Sequence, residues 1–126
     1  MTDLLLDTHV LLWWLEEPGL LTAEAREAIF DQDSDVYVSV ASAWEMGIKS
    51  ALGKLSVPDN LPEVLGANEF EVLDVRLPHA MAVRDLPVVH GDPFDRLLIA
   101  QARIEGLTIV TRDPRIGEYD VAVLTA

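Results

Sequence analysis

The chain has 126 residues, half of them hydrophobic and a quarter charged, which suits one globular domain over residues 1–126 and excludes a disordered or low-complexity chain. With 22 Asp plus Glu against 9 Lys plus Arg the formal charge is −13, which excludes attachment to nucleic acid by bulk positive charge and leaves phosphate contacts to a few local cations or a bound metal. Cysteine is absent, so disulfides, thiolate nucleophiles and thiolate-ligated zinc or iron–sulfur sites are excluded, in keeping with a reducing cytoplasm.

The chain opens on Met1-Thr2-Asp3 with no basic region, and Asp7 interrupts the apolar stretch before an export signal could form, so a cytoplasmic protein is expected. The longest purely apolar run, residues 10–15, is far below the roughly 18 residues needed to span a bilayer. Short apolar runs at 4–6, 36–40, 71–75, 108–111 and 121–124 read as strands. Helical spacing covers 9–15, 22–30, 42–52, 61–66, 79–86 and 93–105, with a further short helix at 114–117. The Pro-containing segments 54–62 and 87–93 read as surface connections. Strands and helices alternating in this way predict an α/β domain whose mostly parallel central sheet is covered on both faces. Ligands in such sheets sit beyond the carboxyl ends of the strands. Neither a P-loop nor a dinucleotide-binding glycine pattern occurs.

Four carboxylates fall at those ends. Leu4-Leu5-Leu6 runs into Asp7, whose ordinary reading is the cap of the helix beginning near His9. Ser42-Ala43-Trp44-Glu45 fits a capping box, and Glu45 also stands four residues before Lys49, the favourable order for a helical ion pair. In His90-Gly91-Asp92-Pro93-Phe94-Asp95-Arg96, Asp92 is a cap followed by Pro at the first helical position. Asp95 lies in the first turn, where the helix dipole favours an anion. Thr108-Ile109-Val110-Thr111 ends in Arg112-Asp113-Pro114, where a cap is again the default. Taken one at a time, each acid has a structural explanation. Taken together, Asp7, Glu45, Asp95 and Asp113 converge on one edge of the sheet, where they would repel one another unless a cation sat among them. Magnesium, or manganese, is the hard cation such an oxygen-rich set suits, and phosphodiester hydrolysis is the reaction it implies.

The segments Leu4-Leu5-Leu6-Asp7-Thr8-His9-Val10-Leu11-Leu12-Trp13, Ala43-Trp44-Glu45-Met46-Gly47-Ile48-Lys49, His90 through Ala102 and Thr111-Arg112-Asp113 together resemble the PIN-domain family, specifically the VapC-type toxins of bacterial type II toxin–antitoxin systems. The resemblance runs from Leu4 to Val123 in the correct order. It implies a three-layer α/β/α sandwich acting as a magnesium- or manganese-dependent endoribonuclease, usually a homodimer, held inactive by a cognate VapB-type antitoxin. In the family's pattern Asp7 and Asp95 look like the core metal ligands, with Glu45 helping and Asp113 binding a second ion or acting through water. Asp92 is similar to an additional acidic residue in one branch of the family. Arg96 and Arg112 are the nearest candidates for phosphate contacts, with an ion pair to a neighbouring carboxylate as the competing reading of Arg96. Thr8 and Ser39 or Ser42 read as polar supports behind the ligands.

The remaining residues of note have plainer readings. His9, His79 and His90 lack zinc-site spacing; His9 reads as a helix-start residue beside the cleft and His90 as a loop histidine, with a place along the substrate groove as the alternative. Trp13 and Trp14 belong to a helix apolar all round, hence core with some surface left for an oligomer contact, and Trp44 and Ile48 read as core. The competing functions are a non-catalytic α/β interaction domain, whose carboxylates merely cap helices, and another metal-dependent phosphohydrolase. A haloacid-dehalogenase-like phosphatase would need a second Asp where His9 stands, and a receiver domain would need a late Lys where only Lys49 and Lys54 exist.

Overall fold

A computed structural model describes residues 2–126; Met1, which entered the export reading, lies outside the described residues. Five strands form one fully parallel sheet: β1 (Leu4–Leu6), β2 (Val36–Ser39), β3 (Glu71–Leu73), β4 (Thr108–Thr111) and β5 (Val123–Thr125). Their order is β3-β2-β1-β4-β5, so the chain winds outward from β1 in one direction through β2 and β3 and in the other through β4 and β5. The topological switch point therefore lies between β1 and β4, where Leu4 pairs with Thr108.

Parallel pairing requires crossovers, and six helices supply them: α1 (Thr8–Glu16), α2 (Ala23–Phe30), α3 (Val40–Ala51), α4 (Leu61–Ala67), α5 (Leu77–Ala82) and α6 (Pro93–Glu105). Short 3₁₀ turns occupy Pro18–Leu20, Val83–Asp85 and Ile116–Glu118. The strands sort their side chains with a period of two. Leu4, Leu6, Val36, Val38 and Val110 face Val10, Leu11, Ile29 and Leu65 of α1, α2 and α4. Leu5, Tyr37 and Ile109 face the other way, onto Leu98, Ile99 and Ala102 of α6. Each fully buried Leu or Ile contributes about 1.5–3 kcal/mol by leaving water, so the two clusters fix the strand register. Helix α6 is well delimited, with Pro93 at its start, Asp92 accepting from the Phe94 and Asp95 amides, and Gly106 closing it in the left-handed region at φ 69°.

The expected elements are present with shifted ends. The stretch expected as one helix over 79–86 divides into α5 and a 3₁₀ turn, and the short helix expected at 114–117 is a 3₁₀ turn displaced by two residues at its start. The larger difference is at α3, which begins at Val40 and not at Ser42. Ser39 is its cap, accepting from the Ala41 amide at 3.0 Å, so the capping box expected from Ser42 and Glu45 does not form. Ser42 is buried with its hydroxyl unpartnered. With that start, α3 turns Ala41, Ser42, Glu45 and Met46 inward and leaves Val40, Trp44, Ile48 and Leu52 on an outward ridge. Trp44 and Ile48, expected in the core, are accordingly 61% and 39% exposed, and Trp44 rests edge-on against Phe94. Among the described residues no helix is long and apolar enough to cross a membrane.

Candidate active site

A cleft of about 360 Å³ opens at the carboxyl edge of the sheet, beside the switch point, lined by Asp7, His9, Trp13, Glu45, Lys49, Asp92, Asp95, Arg112, Asp113 and Arg115. All four predicted acids reach it, each carried by a different element. Asp7 follows the end of β1, Glu45 lies on the second turn of α3, Asp95 on the first turn of α6, and Asp113 two residues past β4. Asp92 lines the cleft too.

The capping explanation accounts for Asp92 and, through the Arg115 amide, in part for Asp113, but fails for Asp7, Glu45 and Asp95. Asp7 occupies the cap position of α1 but its side chain makes no cap bond; Oδ2 instead accepts from the Thr111 hydroxyl at 2.7 Å. Glu45 is 3% exposed, with Oε1 accepting from the Thr8 hydroxyl at 2.7 Å and Oε2 paired with Lys49 Nζ. Asp95 Oδ2 meets His90 Nε2 at 2.7 Å, and Asp113 Oδ2 stands 3.5 Å from the same nitrogen. Asp113 is also held by Arg115 through the backbone amide and two guanidinium nitrogens, with Nη2 at 3.0 Å. A hydroxyl that can point only one proton therefore aims Asp7 and another aims Glu45.

Five carboxylates in the cleft, Asp7, Glu45, Asp92, Asp95 and Asp113, face three full cations, Lys49, Arg112 and Arg115. Burial pushes the Asp7 carboxyl above the usual carboxylate range, against the lowering effect of the Thr111 hydrogen bond. Asp95 is pushed up to about 7, first by burial and then by the charge of Asp7, while its bond to His90 pulls the other way. Asp113 moves down because Arg115 hydrogen-bonds to it. Two buried carboxylates that resist ionisation beside one another are a set that a divalent cation would relieve. The carboxylates offer oxygens, which suit magnesium or manganese and not a thiolate-seeking metal; the tightest set among the described residues, with ligand atoms within 4.8 Å of one another, is His90, Asp95 and Asp113.

The two candidate arginines behave differently from expectation. The Arg96 guanidinium is turned away from the cleft; it donates to the carbonyls of Pro87 at 2.9 Å, Val83 at 3.1 Å and Leu86 at 3.3 Å and to the Tyr119 hydroxyl at 3.2 Å. Neither an ion pair with a neighbouring carboxylate nor a phosphate contact matches that setting, because its donors are spent on a loop that has no helix or strand to satisfy it. Arg112 does line the cleft, with its guanidinium 4.4 Å above the Trp13 ring and bonds to the Leu20 and Ala126 carbonyls. Trp13 is thus half-buried beside the cleft and not plain core. Thr8 acts as the expected support, whereas Ser39 turns to Gln101 Oε1 instead.

Sequence reasoning missed three contributors. Thr111 was legible only as the last residue of a strand; that its hydroxyl reaches across to Asp7 follows from the β1–β4 pairing. Arg115 stands two residues beyond Asp113, a spacing at which a long side chain can fold back in a turn. His90 read as a loop histidine, yet it is buried and touches two of the acids.

A PIN-domain family profile matches residues 4–122. The chain is 32% identical over 122 residues to Ribonuclease VapC22 of Mycobacterium tuberculosis (strain ATCC 25618 / H37Rv), covering 94% of this chain and 93% of that protein. Among solved structures, its backbone is similar to a chain of VapBC2 from Rickettsia felis bound to a DNA fragment from their promoter, with TM-score 0.75, 13% identity and 98% of each chain covered. It is also similar to a chain of DNA-bound VapBC from Salmonella typhimurium, with TM-score 0.69, 21% identity and 99% and 98% of the two chains covered. The three-layer α/β/α arrangement with a parallel central sheet is the one shared with these structures.

Proposed function

The chain belongs to the PIN-domain family, and from that premise we propose that it is a magnesium- or manganese-dependent endoribonuclease, the toxin of a pair whose VapB-type antitoxin holds it inactive. The observation that carries this reading is the convergence of Asp7, Glu45, Asp95 and Asp113 from four separate elements on one cleft at the switch point of the sheet. Separate helix caps do not require the acids to meet; a shared cation does. The relative named Ribonuclease VapC22 and the fold shared with VapBC complexes support the substrate class and the partner.

In this reading Asp7 and Asp95 hold the ion, Glu45 assists, and Asp113 serves a second ion or acts through water. Magnesium held there would supply charge stabilisation at the phosphoryl oxygens and a more acidic water as nucleophile. The chain's own residues do the rest. Thr111 and Thr8 fix the rotation of Asp7 and Glu45. Lys49 balances the buried charge of Glu45, with the side chains 30% and 4% exposed respectively. Of the cleft cations, Arg115 is 57% exposed and bonds Asp113 through Nε and Nη2, leaving Nη1 at the rim as the donor best placed to meet an RNA phosphate. The formal charge of −13 would slow the approach of RNA at low salt, and it suits an antitoxin segment with basic residues reaching the carboxylates.

The homodimer expected by resemblance finds its support not on the 10–15 helix, where Val10, Leu11 and Leu12 are buried, but on the ridge of Val40, Trp44, Ile48 and Leu52 along α3. Cleavage of a mixed RNA pool by antitoxin-free protein tests the activity. Cutting that needs magnesium or manganese, stops with EDTA, and is lost in Asp7→Asn is the expected result; cutting that persists in EDTA or in the variant would overturn it.

A further inference from the structure

His90 has no task in the mechanism above, yet it is 5% exposed and bonded to a proposed ligand. It sits on the connection between the Val83–Asp85 turn and α6, a segment without regular structure. Such a segment would hold a side chain loosely unless something tied it down. Arg96 and Tyr119 do so. The Arg96 fork binds the carbonyls of Val83, Leu86 and Pro87, and it also donates to the Tyr119 hydroxyl at 3.2 Å. That hydroxyl accepts from the His90 backbone amide at 2.9 Å. Arg96 directly follows Asp95 on α6, so the residue after the acid clamps the loop that brings His90 back onto the same acid. His90 Nε2 then lies 2.7 Å from Asp95 Oδ2 and 3.5 Å from Asp113 Oδ2.

We propose that His90 is a positioning residue for the metal site, its Nε2–H fixing the rotation of the Asp95 carboxylate while the Arg96–Tyr119 clamp fixes His90. This rests on the metal-nuclease reading given above. At 2.7 Å Nε2 and Oδ2 are in hydrogen-bond contact; with the proton assigned to Nε2, that nitrogen has no lone pair for a metal. His90 then works through Asp95, engaging Oδ2 and leaving Oδ1 as the oxygen without a bond to His90. Partners that orient metal-ligating carboxylates are typically worth about 10–100-fold in metal affinity or activity.

The test is Mn2+ affinity by calorimetry, with electron paramagnetic resonance of the bound ion, on the wild type, His90→Leu, His90→Gln and Tyr119→Phe, each checked for folding by circular dichroism. The Gln amide nitrogen extends about as far as Nε2 and keeps a donor there. We expect His90→Leu to lose about 10–100-fold in affinity, His90→Gln to stay within a few-fold of wild type, Tyr119→Phe to lose several-fold, and the wild-type spectrum to show no nitrogen coupling. Wild-type affinity in His90→Leu would overturn the proposal while leaving the metal site standing; should that variant not fold, unchanged affinity in Tyr119→Phe or a full loss in His90→Gln would overturn it. Nitrogen coupling that disappears in His90→Gln would make His90 a ligand and refute the positioning role. No Mn2+ binding by the wild type would instead overturn the metal reading, and this proposal with it.

Discussion

Replacing Asp95 by Asn removes a charge that the fold tolerates poorly. Its carboxyl is raised from 3.8 to about 7, first by burial and then by Asp7, and its side chain is only 14% exposed. A carboxyl raised on folding favours the native state in its protonated form; that benefit is complete below the unfolded value and is lost as the pH rises towards 7. At about 1.36 kcal/mol for each pH unit between the two values, keeping Asp95 ionised costs the metal-free protein about 4 kcal/mol at pH 8. Water and counter-ions reaching the open cleft offset roughly half of this. Asp95→Asn should then stabilise the metal-free protein by about 2 kcal/mol at pH 8, which raises Tm by roughly 6–8 °C in a domain of this size. Thermal melts in EDTA at pH 8 and pH 5 measure it, and the gain should shrink at pH 5, where the wild-type carboxyl is mostly protonated. In magnesium the order reverses, because only the wild type gains stability by binding the ion. A variant that melts lower than wild type in EDTA at pH 8, or a gain that does not depend on pH, would refute the reasoning.

Thr111→Val deletes the hydroxyl that aims Asp7 and should cost about 1–2 kcal/mol in urea unfolding, together with weaker magnesium binding; unchanged binding would mean that Thr111 only packs. Lys49→Met strips the buried Glu45 carboxylate of its cation and should destabilise the EDTA-treated protein by about 1–3 kcal/mol, with millimolar magnesium restoring much of the loss. Arg115→Ala should raise KM for RNA a few-fold with little change in kcat and a shallower salt dependence, whereas a change confined to kcat would place Arg115 elsewhere in the reaction. Trp44→Glu on the exposed ridge should convert a dimer to a monomer in light scattering while the circular dichroism stays that of a folded chain; an unchanged mass would move the interface elsewhere.

Strands at Leu4–Leu6 and Thr108–Thr111 were legible because short buried strands in a parallel sheet are simply apolar, and α6 because Asp92-Pro93 and Gly106 mark its two ends. The acidic set could be read as well, since acids at the carboxyl ends of strands must share an edge once the strands are parallel. What the one-dimensional pattern could not supply was rotation and reach. Ser39 and Ser42 are equally good caps in isolation, and only the competition for burial between the Ser42–Glu45–Met46 side and the Trp44–Ile48 side decides which begins α3. Trp44 was misread for that reason. Arg96 was misread because its neighbours in sequence are acids while its partners in space are carbonyls of a loop 6–13 residues earlier. Thr111 acts through a contact that arises only when β4 is set beside β1, and His90 through a loop that Arg96 and Tyr119 fold back onto Asp95.

Crystals of this protein grown with Mn2+ offer the most direct test of whether four carboxylates make one site. An anomalous difference peak at about 2.2 Å from oxygens of both Asp7 and Asp95 is the result expected, with Glu45 and Asp113 beside it and the peak lost in Asp95→Asn. No peak in the cleft at millimolar Mn2+, or one held by other residues, would contradict the account and return the acids to separate structural duties.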